Sequence, residues 1–258
     1  MSSRRARLTA LALLTAVVGT GVALFVPPVP QWPQYHDFAD QRAWLGIPNF
    51  LNVVSNGLFV LVGVMGLHRL SAARRGPVFL DPRERWPWLV FFLALALLGL
   101  ASGGYHLAPD NAGLARDRLA MSAVFMSWLA AHLAERIGVR FGLNMLPVLL
   151  AAGAAAVLYW SAMEADGAGD LRAYGVVHFY PVALILLLLA LFPPRYTRSG
   201  DALVVLGLYG AALGAEWLDR PVFELTGALS GHTLKHVLAA LAAGWALRML
   251  ARRRPCAP

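Results

Sequence analysis

The sequence predicts an all-α protein, a polytopic helical bundle that lies in a membrane. The chain has 258 residues, of which 59% are hydrophobic and 14% are charged, whereas soluble domains carry about 25% charged residues. Its apolar residues gather into eight runs, and each run is close to the length of about 20 residues that a helix needs to cross a bilayer. The predicted spans are residues 8–26, 48–68, 86–106, 117–135, 143–163, 173–192, 202–218 and 232–250.

The first run stands apart from the other seven. It follows Arg4, Arg5 and Arg7, and a signal peptide would also begin with basic residues before an apolar region. Because the apolar region is long and no small-x-small cleavage site follows it, we favour an uncleaved anchor over residues 1–27. The loops between the later runs are short, so we expect one seven-helix domain over residues 28–251 and a basic tail over 252–258.

The arginines predict the orientation of the bundle. Sixteen lie at the ends that alternate with the N-terminus: Arg4, Arg5, Arg7, Arg69, Arg74, Arg75, Arg83, Arg85, Arg136, Arg140, Arg195, Arg198, Arg248, Arg252, Arg253 and Arg254. Five lie at the opposite ends: Arg42, Arg116, Arg118, Arg172 and Arg220. Because basic loops stay in the cytoplasm, we expect both termini to be cytoplasmic. This topology accounts for the net charge of +8 without a nucleic-acid partner. The alanine, leucine and arginine usage is typical of a bacterial chain, so the expected location is an inner membrane.

Five polar residues are predicted to meet at the outer, periplasmic ends of the spans. Ser102 and His106 are four residues apart at the end of the third run, which places both side chains on one face of a helix. Asp117 heads the fourth run, and His232 and His236 repeat the four-residue spacing at the start of the last run. Polar groups at membrane depth are costly and tend to mark functional sites.

Three neutral imidazoles suit Zn²⁺, with a fourth position left for water. Asp117 would then act as general base and acid, or orient a ligand histidine. Ser102 would donate a hydrogen bond to an oxyanion, or simply ease helix packing as a small residue. The alternative without a metal is that histidines at helix ends lie in the headgroup region, in contact with water and phosphate.

A second polar cluster precedes and enters the second run. Asp37, Asp40 and Asn49 offer the hard oxygen ligands that Ca²⁺ prefers, although a solvated outer loop leading into a helix cap has the same composition. Further along that run, Asn52, Ser55 and Asn56 recur at helical spacing, and we expect them to hydrogen-bond neighbouring helices. At the end of the seventh run, Glu216, Asp219 and Arg220 indicate either an ion pair or a carboxylate that supports a metal ligand.

The order and spacing of these residues resemble the signature of the alkaline ceramidase family. The pattern is Ser102-x-x-x-His106, then Asp117, then His232-x-x-x-His236. Residues 49–56, Asn-Phe-Leu-Asn-Val-Val-Ser-Asn, are similar to the first-helix motif of that family, and Asp117-Arg-Leu-Ala-Met121 is similar to its D-x-x-P-M segment. The resemblance covers about residues 35–250. The family belongs to a wider superfamily of seven-helix membrane hydrolases that includes adiponectin-receptor and haemolysin III relatives.

The resemblance implies a zinc-dependent membrane amidase that hydrolyses the N-acyl bond of ceramide, or of a related N-acyl lipid, to a sphingoid base and a fatty acid. It implies His106, His232 and His236 as zinc ligands and Ser102 and Asp117 as the catalytic pair. Calcium is expected at Asp37, Asp40 and Asn49, although Asn49 stands where the family has a glutamate. Lys235 replaces an apolar or aromatic residue, so we expect it to reach the headgroups or to meet an anionic group of the substrate.

A non-catalytic protein is the second hypothesis. A receptor-like or structural membrane protein could keep the metal site without chemistry. The two hypotheses differ at the metal, because a structural site would be closed by a fourth protein ligand and an enzyme needs an open position. The presence of Ser102 and Asp117 beside the three histidines favours the enzyme, since a structural site needs neither residue.

Overall fold

The computed structural model describes residues 4–72 and 79–256, and the regular secondary structure of these residues is helical. The helices are α1 (Arg4–Phe25), α2 (Phe50–Ser55), α3 (Gly57–Ser71), α4 (Arg85–Leu107), α5 (Asn111–Arg136), α6 (Val139–Ala165), α7 (Arg172–Leu191), α8 (Asp201–Trp217), α9 (Asp219–Thr226) and α10 (Gly231–Arg252). Each of the eight predicted spans carries a helix, so the all-helical bundle is confirmed. Arg74 and Arg75, which entered the orientation count, lie outside the described residues, as do positions 1–3 and 257–258.

Six helices within the described ranges are long and apolar enough to cross a membrane. Two predicted spans differ from this simple pattern. The seventh span ends at a break, where α9 turns away from α8 by 78°. The fourth span, α5, is too polar to meet the same criterion, and the reason is its position: α4, α6 and α7 pack around it. A helix shielded from lipid by its neighbours can carry polar side chains at much lower cost.

Close helix contacts at two glycines hold the site-bearing helices together. On α4, a Cβ atom at Gly99 would lie only 2.7 Å from the carbonyl oxygen of Asn56, which follows α2. At the start of α10, a Cβ atom at Gly231 would overlap the carbonyl oxygen of Ala215 on α8. The absence of side chains at Gly99 and Gly231 therefore lets α4 approach α2 and α3, and lets α10 begin directly against α8.

The two ends of the bundle differ in chemistry. At one end, Arg4 donates to the carbonyl oxygen of Ile137 at 2.5 Å and Arg136 donates to that of Phe192 at 2.6 Å. The predicted basic tail begins inside α10 and joins this end, where the buried Arg253 contacts Glu135 at 2.9 Å. The opposite end carries the loops before α2, α5 and α10, and those loops bring the predicted site residues together.

Candidate metal centre and its cavity

The three predicted zinc ligands lie together in the structure. His106 is in the last turn of α4, and His232 and His236 occupy the first two turns of α10. All three are buried, and one ligand nitrogen from each lies within 4.8 Å of the others. The Nε2 atoms of His106 and His232 are 3.3 Å apart. Three buried imidazoles in this arrangement can hold a metal ion.

Local capping positions these histidines. Ser230 caps α10, and its hydroxyl accepts a hydrogen bond from the backbone N–H of Thr233 at 3.1 Å. Asp219 accepts the backbone N–H of His232 at 2.7 Å, which satisfies a free donor of the first helical turn. On α4, Asn49 donates its side-chain amide to the carbonyl oxygen of His106 at 2.9 Å. Both histidine-bearing helix ends are therefore fixed by polar side chains.

The donor set and its spacing fit an ion of the size of zinc. Two nitrogens bound at about 2.0–2.1 Å to one tetrahedral ion are separated by about 3.3 Å, which is the separation of the His106 and His232 nitrogens. The hydroxyl of Ser55 donates to the carbonyl oxygen of Asn52 at 3.2 Å, so it can accept the Nδ1–H of His236, which is 2.8 Å away. In this arrangement Nδ1 of His236 carries the proton, and the lone pair that can bind a metal is on Nε2. Metal-binding histidines usually donate their second nitrogen in this way.

Ser102 and Asp117 lie beside the histidines, as the sequence predicted. Ser102 is one turn before His106 on α4, and its hydroxyl contacts the carboxylate of Asp117. The Oδ1 atom of Asp117 is buried, and no residue in the described part of the chain forms a hydrogen bond with it. Because α5 already begins at Asn111, behind the cap of Asp110, Asp117 lies in its second turn and not at its head. The carboxylate is therefore held inside the bundle, with one oxygen free to accept a proton.

An apolar cavity of about 860 Å³ opens from this group of side chains. Its walls come from α1, α3, α4, α5, α7, α8 and α10, and its polar lining includes Ser102, Asp117 and the three histidines. Representative apolar wall residues, one from each helix, are Val22, Phe59, Phe91, Met121, Phe179, Val205 and Ala239. Such a volume lies within the range of small-molecule binding sites, and its apolar walls suit a hydrocarbon chain.

Charged side chains also line the cavity near the histidines. Lys235 donates to Glu216 Oε1 at 2.5 Å, and the same oxygen lies 3.9 Å from Nδ1 of His232. Glu216 thus forms its ion pair with Lys235 and not with an arginine. Its carboxylate also faces His232, a predicted metal ligand. Arg220 pairs with Asp37 at 3.1 Å. Lys235 itself lines the cavity.

Arg118 is a buried cation next to Asp117. The aromatic rings of Tyr35, Trp160 and Tyr174 surround its guanidinium at 4.2–5.4 Å, and it donates to Gln31 at 2.6 Å. Cation–π contacts of this kind stabilise a desolvated arginine. Arg118 therefore joins the segment after α1 to α5, α6 and α7 behind the site.

The three candidate calcium ligands already have protein partners. Both carboxylate oxygens of Asp40 accept hydrogen bonds from Arg42 at 2.8 Å, and that guanidinium lowers the pKa of Asp40. Asp37 contacts Gln41 and Arg220, and the amide of Asn49 donates to the backbone as described. Calcium binding at Asp37, Asp40 and Asn49 stays a prediction.

Two contacts of the histidines were not foreseen from the sequence. Ser55 was expected to bond a neighbouring helix, and it does so through the side chain of a predicted metal ligand, His236. Phe38 packs its ring against those of His106 and His232, with centroids 4.6 Å and 4.7 Å apart. The helical position of Ser55 was a usable signal, whereas nothing in the loop sequence distinguished Phe38 from other loop aromatics.

Comparisons of the chain with family models, with curated proteins and with solved structures give no match. The chemistry of the site is therefore argued from its own residues.

Proposed function

We propose that this chain is a zinc-dependent membrane amidase of the alkaline ceramidase type, which hydrolyses the N-acyl bond of ceramide or of a related N-acyl lipid. One observation carries the proposal. Ser102 and Asp117 meet three buried histidines at the polar end of an apolar cavity that suits an acyl chain. The arginine distribution supports a bacterial inner-membrane protein whose site faces the periplasm.

Each side chain of the site has its own role in the proposed hydrolysis. His106, His232 and His236 would hold the zinc ion, which would supply Lewis acidity at the amide carbonyl. Asp117 accepts the proton of the attacking water as the C–O bond forms, and it returns that proton to the leaving nitrogen as the C–N bond then breaks. While Asp117 holds the proton, the hydroxyl of Ser102 can turn from Asp117 and donate to the carbonyl oxygen, where negative charge develops. The cavity walls hold the acyl chain and exclude bulk water.

The coordination set favours an enzyme over a structural metal site. Within the described residues, the group around His106 contains three histidines and no further histidine, cysteine, aspartate or glutamate. Structural zinc sites usually have four protein ligands, and catalytic sites have three with an open position. Asp117 lines the same cavity as the three histidines, and a structural site would have no use for it.

The test is metal analysis and turnover measured on the same preparations. Detergent-purified protein, with His106→Ala and His236→Ala alongside, is analysed by mass spectrometry for metal and assayed for fatty-acid release from fluorescent ceramide and other N-acyl lipids. We expect one zinc per chain and turnover, with both lost in the variants. Zinc without turnover on the whole panel would favour the receptor-like or structural protein, and absence of zinc would refute the metal centre itself.

A further inference from the structure

Lys235 is the only lysine of the chain, and it lies at the candidate site. The other 21 of its 22 basic residues are arginines. Lys235 lies in the second turn of α10, directly before His236. It lines the cavity together with the three histidines. A lysine ammonium is a compact point charge on a flexible stem, whereas an arginine guanidinium is a rigid planar fork. The one position where this chain uses lysine is thus a partly buried position beside the proposed metal ligands.

The contacts of Lys235 leave donors free toward the cavity. Its ammonium has three N–H donors, and among the described residues its hydrogen-bond partner is Glu216, at 2.5 Å. The same Glu216 oxygen accepts the hydroxyl of Tyr35 at 3.5 Å and faces Nδ1 of His232 at 3.9 Å. Glu216 therefore shares its charge among several donors, and the ammonium retains two hydrogen atoms for a ligand.

The balance of charge at this end of the cavity also favours an anion. Two carboxylates, Asp117 and Glu216, and three cations, Arg118, Arg172 and Lys235, line it, and Arg172 is paired with Asp170 beside the cavity. With that pair included, the charges balance each other, so a bound divalent metal leaves an excess of two positive charges. Charge buried away from water is costly unless a counter-charge compensates it. A substrate with a negative headgroup would supply that compensation next to Lys235.

We propose that Lys235 binds an anionic headgroup of the substrate, so that the preferred N-acyl lipid carries a carboxylate or a phosphate beside its amide. This inference rests on the proposed function, because it places the amide at the histidines and the headgroup at α10. The acyl chain then occupies the apolar part of the cavity. A neutral ceramide would lack the partner for Lys235 and would be a poorer ligand.

Binding of uncleavable probes tests this inference separately from catalysis. The probes are hexadecylsulfonyl-glycine, its neutral glycinamide and the corresponding aminoethyl phosphate, all sulfonamides in which the scissile carbonyl is absent. Affinities are measured by isothermal titration with the zinc-loaded protein in detergent. We expect at least one anionic probe to bind about 10-fold to 100-fold more tightly than the glycinamide. The carboxylate and phosphate probes distinguish between the two headgroups.

Three variants test whether the preference for anionic probes depends on Lys235. Lys235→Met keeps the length of the stem and removes the charge, and it should bring the affinity ratio close to one. The double variant Lys235→Met with Glu216→Gln removes both partners, so no unpaired carboxylate is left, and it should show the same loss. Lys235→Arg keeps the charge and should retain most of the preference. Equal affinities in the wild type, or an unchanged ratio in both methionine variants, would overturn the inference, whatever the hydrolysis assays show.

Discussion

Asp117 is proposed to transfer a proton during hydrolysis and not to bind the metal. Its carboxylate contacts Ser102 and has a free, buried oxygen, but it is not one of the three clustered ligands. Asp117→Asn should therefore lower kcat by about 10²–10⁴-fold, the usual contribution of a general acid–base, and leave the zinc content unchanged. Steady-state hydrolysis and metal analysis measure the two effects.

The matched control for Asp117 is Glu224→Gln, which removes an exposed acid on α9. It should change neither turnover nor zinc content. If Asp117→Asn loses zinc in proportion to activity, Asp117 supports the metal and the proposed proton transfer is wrong.

Substitution of Ser55 tests whether the hydrogen bond at Nδ1 of His236 contributes to zinc affinity. The Ser55 hydroxyl lies 2.8 Å from Nδ1 of that histidine, and loss of such a contact typically lowers metal affinity by about 10-fold to 100-fold. We expect this loss in Ser55→Ala, measured by competition for zinc with a chromophoric chelator.

Ser71→Ala is the control for Ser55, because among the described residues the Ser71 hydroxyl bonds to the carbonyl oxygen of His68 in its own helix. An affinity in Ser55→Ala equal to that of Ser71→Ala would mean that the hydrogen bond does not orient His236.

At the scale of elements, the packing of α4 against α2 and α3 determines where His106 lies. A Cβ atom at Gly99 would lie 2.6 Å from Val60 Cγ2 and 2.7 Å from the carbonyl oxygen of Asn56. Gly99→Ala should therefore push the helices apart and cost about 1–3 kcal/mol of stability. Because α4 carries one metal ligand and α2 carries Ser55, zinc affinity should fall as well.

Gly104→Ala is the matched control on the same helix, since a Cβ atom there meets nothing within 4 Å. Thermal unfolding with and without zinc compares the two variants. Equal melting temperatures and equal zinc-induced shifts would show that the Gly99 contact does not position the site.

The first helix contributes a wall of the cavity. Although α1 is largely exposed, Val18 and Val22 of α1 line the cavity from one side, and so does Val26 directly after this helix. The larger side chain in Val22→Trp should occupy space that an acyl chain needs, so the ratio of kcat/KM for stearoyl over octanoyl amides should fall several-fold. Val17→Trp, at a position 65% exposed, is the control. The same ratio in both variants would mean that α1 does not contact the acyl chain.

At the scale of the whole molecule, the fold could be predicted from patterns in the amino-acid sequence. Apolar runs of spanning length each became a helix, and the four-residue spacings of Ser102–His106 and of His232–His236 placed those side chains on common faces. Alternation of the helices then brought Asp117 to the same end. These features depend on local periodicity and on the order of the spans.

The features that the sequence left open depend on contacts between distant segments. The polarity of α5 is explained only by the helices around it, and the ring of Phe38 reaches the histidines through the course of its loop. The pairing of Glu216 with Lys235 likewise depends on how α8 packs against α10. The cavity itself is the space left between seven helices, and no sequence motif predicts such a space.

The most direct measurement of the central claim is a zinc titration of the chelator-treated protein with turnover as the readout. Apoprotein in detergent is supplied with increasing zinc, and hydrolysis of an N-acyl lipid is followed at each ratio. The account predicts no turnover without metal and a linear rise that stops at one zinc per chain, absent in His236→Ala. Turnover that survives complete removal of zinc, or a fully zinc-loaded protein that cleaves no N-acyl lipid of the panel, would contradict it.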